Sequence, residues 1–70
     1  MKFQQIEGAF YFIDEKGTYR VQDEDIQRLK LRPGTRVLRF LDENDEMVAL
    51  PLTIAVGEVE GFNVMVNSIS

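Results

Sequence analysis

The chain has 70 residues, a net charge of −4, and neither cysteine nor histidine. A chain of this length holds one domain and buries only about 60% of its unfolded surface, so its core needs reinforcement. Disulfides are excluded and a structural metal would find only carboxylates, which leaves association, most simply as a homodimer, as the expected reinforcement.

Residues 1–7, Met1-Lys2-Phe3-Gln4-Gln5-Ile6-Glu7, lack the apolar core of a signal peptide. Ala9-Phe10-Tyr11-Phe12-Ile13-Asp14 is aromatic and β-branched, a strand signal. It ends at Asp14-Glu15-Lys16-Gly17, where glycine suits a tight turn, and Thr18-Tyr19-Arg20-Val21-Gln22 alternates as the returning strand of a hairpin. Asp23 is placed to cap a two-turn helix. Glu24 and Asp25 suit its positive end, Arg28, Lys30 and Arg32 suit its negative end, and Ile26 and Leu29 form its apolar stripe. Pro33-Gly34 stops the helix and turns the chain.

Arg36-Val37-Leu38-Arg39-Phe40-Leu41 then reads as a strand apolar on both faces, central in a sheet or at a dimer seam. The acidic segment Asp42-Glu43-Asn44-Asp45-Glu46 makes a hairpin tip. From Met47 to Val56 the residues alternate, with Val48, Leu50, Leu52, Ile54 and Val56 on one face. Pro51 implies an edge, a bulge or a corner within that run. Gly57-Glu58-Val59-Glu60-Gly61 reads as a turn, and Phe62-Asn63-Val64-Met65-Val66-Asn67 as a last strand with Phe62, Val64 and Val66 facing inward. The expected fold is a single domain over residues 1–70, mainly β with one short α-helix. Its arrangement would be a small β-barrel or a swapped-hairpin-like β dimer.

Chemistry leaves few openings. General acid–base catalysis favours histidine, and Ser68, Ser70, Thr18, Thr35 and Thr53 have no base beside them, so no enzyme and no cofactor are expected. The tip Asp42-x-Asn44-x-Glu46 is followed by Met47 where a calcium loop needs glycine, and Thr53 stands where that loop needs glutamate. The apolar run from Met47 is too short to span a membrane, so the chain is expected to be cytoplasmic. Charge is segregated: residues 26–41 carry Arg28, Lys30, Arg32, Arg36 and Arg39 with no acid, and every charge after Arg39 is negative. A basic strip on an acidic body suits an oriented contact with phosphates or with an acidic protein patch.

The pieces Phe12-Ile13-Asp14-Glu15-Lys16-Gly17, Tyr19-Arg20-Val21, Leu29-Lys30-Leu31-Arg32-Pro33-Gly34-Thr35-Arg36-Val37 and Met47-Val48-Ala49-Leu50 occur in a telling order. Over residues 12–50 the chain resembles the AbrB/MazE swapped-hairpin family of DNA-binding regulators and antitoxins. That resemblance implies an intertwined homodimer in which Arg20, Arg28 and Arg32 meet duplex DNA. Thr18 and Gln22 stand where the family commonly carries arginine and proline, and Asp23-Glu24-Asp25 opens the helix where basic residues are usual. The junction from Leu29 to Val37 is also similar to that of FeoA-type SH3-like domains and of phage-encoded small β-barrels. This second resemblance implies a protein-interaction module whose basic strip, including Lys30, Arg36 and Arg39, meets an acidic partner.

Overall fold

The computed structural model describes residues 1–31 and 36–69; Arg32 and the expected Pro33-Gly34 turn lie outside the described residues. Five strands, β1 (Lys2–Ile6), β2 (Ala9–Asp14), β3 (Gly17–Val21), β4 (Val37–Leu41) and β5 (Met47–Pro51), form one antiparallel sheet in sequence order. The chain is β-rich as expected, with three helices where one was expected: α1 (Asp23–Leu31), α2 (Leu52–Glu58) and α3 (Phe62–Ser68). The sheet stays open, with β1 and β5 as its edges, so it does not close into a barrel.

Turn chemistry sets the register. Glu7 and Gly8, with φ of 50° and 85°, make the two-residue turn whose twist suits a hairpin, and Ile6 pairs with Ala9 across it. The Asp14 carboxylate accepts from the N–H groups of Lys16 and Gly17 at 2.8 and 3.0 Å, closing the β2–β3 turn. At the acidic tip, the Asp42 carboxylate accepts from the amides of Asn44 and Glu46, each at 2.9 Å. Asp42 therefore shapes the tip from within.

One sheet face carries Phe3, Phe10, Phe12, Val21, Leu38 and Phe40, all buried. Their rings interlock: Phe12 stacks on Phe40 with centroids 5.1 Å apart, and Phe3 lies 5.4 Å from Phe12 and 5.9 Å from Phe62. Helices α2 and α3, with Val59 from between them, lie over this face through Ala55, Val59, Phe62 and Met65, and Ile26 and Leu29 of α1 pack against the same core. The result is one layer of sheet and one of helix around a single core.

Both C-terminal helices replace expected strands. Pro51, at φ −57° and ψ 135°, ends β5 and caps α2. The N–H of Leu52 still bonds the Arg36 carbonyl at 2.8 Å, so the ladder passes into the first helical turn. Leu52 and Ala55 of α2 and Phe62, Met65 and Val66 of α3, at helical spacing, pack into the core, and Val59 and Ile69 join them just past the two helix ends. The period of two in Leu52-x-Ile54-x-Val56 coexists with this helical spacing, and the uncovered aromatic face of the sheet selects the latter. Val64, expected to face inward, is exposed, as is Val56, expected to share a face with Leu52 and Ile54.

Between these helices the Glu60 carbonyl accepts from the Phe3 N–H at 2.6 Å, which covers part of the β1 edge. Gly61 sits there at φ 87°, and a Cβ on it would collide with the Phe3 carbonyl oxygen. Gly57, in α2, has open space around it. Gly61→Ala should therefore lower unfolding free energy by more than about 1 kcal/mol, while Gly57→Ala should raise it by about 0.5–1 kcal/mol. Urea denaturation of the two variants checks both signs.

Candidate functional site

Three of the cations singled out in the sequence, Arg20, Arg28 and Arg39, meet the acids of α1 where β3 gives way to that helix beside β4. Gln22 stands opposite Arg39 and donates its N–H to the Arg39 carbonyl at 3.1 Å. In an antiparallel pair the Gln22 carbonyl would return the bond. It instead accepts the N–H groups of Asp25 and Ile26, both at 3.1 Å, which starts α1. Gln22 thus occupies the cap position expected of Asp23. That leaves the Arg39 N–H without a strand partner, and the Asp25 carboxylate takes it at 3.2 Å.

Asp25 is fully buried. A charge in that position needs compensation on every lone pair. The Arg39 Nε donates to its two oxygens at 3.1 and 2.9 Å, and Arg28 adds a longer contact at 3.5 Å. The remaining arms of both arginines reach Glu24, from Arg39 at 2.5 Å and from Arg28 at 3.0 Å. Two carboxylates of one helical turn and two arginines, one on the helix and one on the strand, form a closed network. No buried side-chain nitrogen or oxygen among the described residues lacks a partner.

The charges move each other's ionisation. The hydrogen bond from Arg39, its charge, and then that of Arg28 hold the Glu24 carboxyl below its ordinary value. The carboxylates of Asp25 and Glu24 hold the Arg39 guanidinium above its own. At the opposite end of the sheet, desolvation and then the charges of Asp14, Asp42 and Glu43 raise the Tyr19 hydroxyl.

The six candidate contact cations, Arg20 and the five of the strip, are thus divided. Arg20 pairs with Asp23 at 3.2 Å, and Arg28 and Arg39 belong to the network. Lys30 lies exposed on the last turn of α1, and Arg32 lies outside the described residues. Arg36, exposed, forms no ion pair among the described residues. Comparison of the chain with protein-family models, with curated proteins and with solved structures finds no match. Among the described residues no acidic cluster is arranged to hold a metal ion, and no helix is long and apolar enough to cross a membrane. An apolar groove of about 270 Å³ runs beside β1, lined by Phe3, Gln5, Phe10, Val64 and Met65 among others.

Sequence reasoning gave Asp25 only the role of a dipole partner. Its signal was present in Arg39, a cation between Leu38 and Phe40 in a strand that had to be buried on one side.

Asp25→Ala strands the Arg39 N–H and Nε, leaving the guanidinium only Glu24, and should cost about 3–5 kcal/mol of unfolding free energy. Arg20→Ala breaks an exposed pair and should stay within about 0.5 kcal/mol, read by the same denaturation. Glu24 ionises at lower pH when folded than when unfolded. Its stabilising contribution is therefore complete above its ordinary value of 4.5 and disappears as pH falls through the lowered folded value. The stability difference between the native chain and Glu24→Gln should shrink as pH is lowered from 6 to 3 in acid-range melts, to roughly the extent set by this linkage.

Proposed function

We propose that the chain is a small non-catalytic binding domain whose ligand is protein and not duplex DNA. The observation that carries this reading is the ion-pair network. To meet a phosphate, Arg28 and Arg39 would each have to leave a carboxylate, one of them buried, and Arg20 would have to leave Asp23. Carboxylates standing beside every one of these guanidinium groups also repel the DNA backbone, and the net charge of −4 opposes its approach.

Two further features favour a protein ligand. Leu38 and Phe40 have no exposed surface and Val21 has 1%, so one copy encloses the core that an intertwined dimer would share. The edges of the open sheet present backbone donors and acceptors beside exposed apolar side chains, Ile6 at one and Met47 and Val48 at the other. Such edges bind extended chain by adding a strand. The same reading takes the domain to act in the cytoplasm.

A gel shift and fluorescence anisotropy with random duplex at low salt should detect no complex. Salt-sensitive binding that is lost in Arg28→Ala would overturn the proposal and restore the regulator reading.

A further inference from the structure

The β5 edge has a geometry that singles out its occupant. Asp42 pairs with Glu46 and Arg36 with Leu52 through backbone hydrogen bonds. By the alternation of an antiparallel ladder, Val48 and Leu50 therefore direct their N–H and C=O groups toward β4. Met47 and Ala49 direct theirs, and Pro51 its carbonyl, away from the sheet, where no described strand lies. Between Met47 and Leu50 there is no charge to discourage pairing, Met47 is 58% exposed, and Val48 and Ala49 are exposed.

We propose that this edge pairs with the β5 edge of a second copy, antiparallel about a two-fold axis at Val48, giving a continuous ten-stranded sheet. The inference rests on the reading of the chain as a protein-binding domain and names the partner as the chain itself. Proline selects the register. An axis at Ala49 would set Pro51 against Met47 of the second copy, at a position needing the N–H that proline lacks. An axis at Val48 sets Met47 against Ala49 of the second copy, and Ala49 against its Met47. Both N–H groups and both carbonyls of each edge are then used, with Pro51 just beyond the pairing.

Charge is complementary in that register. The acidic tip, Asp45 and Glu46, stands beside Pro51 and Leu50 of the other copy. Arg36, with no ion pair among the described residues, is bonded to Leu52 at that same end. Each copy thus brings its negative tip to the other's positive end. The two Val48 side chains meet on the axis, a β-branched pair at the closer kind of cross-strand position.

The chain has no cysteine, so one introduced thiol reports on the axis. Opposed residues at that position lie about 4.5 Å apart between Cα atoms, within the disulfide range of about 4.4–6.8 Å. Sedimentation equilibrium of the native chain should give twice the monomer mass. Val48→Cys should oxidise nearly completely to a covalent dimer, whereas Val64→Cys on α3 should not. Ala49→Pro removes two of the four inter-copy hydrogen bonds and none of those to β4. It should raise the dimer dissociation constant more than about tenfold with the circular dichroism unchanged. A native chain that stays monomeric at millimolar concentration overturns the proposal, as does a dimer in which Val48→Cys fails to cross-link. A monomer that ignores DNA removes only this inference, and a cross-linked dimer that binds duplex removes only the protein-ligand reading.

Discussion

The structure depends on one exchange of hydrogen bonds at Gln22. Its N–H remains in the sheet, on the Arg39 carbonyl, while its own carbonyl serves the first amides of α1. A strand cannot become a helix beside a continuing neighbour without leaving some donor unmatched, and a buried N–H left unmatched is costly. Here the unmatched donor is the Arg39 N–H, and the Asp25 carboxylate replaces the lost carbonyl. Bringing a full negative charge into that position then requires the Arg39 and Arg28 side chains, and those arginines in turn engage Glu24. The network follows from the need to end one strand without orphaning the next.

The same economy of backbone partners governs the C-terminal half. Pro51 falls where β5 makes no bond to β4, so its missing N–H costs the ladder nothing, and Leu52 completes the pairing as it enters α2. The helices that follow are too short to stand alone and exist because Ala55, Val59, Phe62 and Met65 close over the ring cluster of Phe3, Phe12 and Phe40. Glu60 and Gly61 then tie the helical layer to β1, which makes that edge part of the core assembly and leaves β5 the freer one.

This division of labour bears on function. Of the charges that suggest a nucleic-acid surface when counted along the chain, those of Arg20, Arg28 and Arg39 are each held by an acid that α1 brings to them. The proposed protein-binding reading puts contact at the sheet edges, where unpaired backbone groups and exposed apolar side chains coincide. An open meander exposes two such edges by construction, and a protein of this size gains most from covering one of them.

The first half of the fold was legible in sequence because its signals are local. Asp14 and Gly17 mark the turn of one hairpin, Asp42 to Glu46 the tip of another, and the acid-to-base gradient from Asp23 to Lys30 marks α1. The strand from Lys2 to Ile6 escaped because Phe3 is its one buried side chain, too little to set a period. Residues 52–56 and 62–67 read as strands because their β-branched residues satisfy a period of two as well as a helical one. Only the position of the aromatic face decided between them, and that face is assembled from residues more than thirty positions apart. For the site, sequence supplied the arginines and the acids but not their pairing. Asp25 and Arg39 are joined by the geometry with which β3 ends, and no local pattern records how a ladder bond lost by one strand is recovered from a helix.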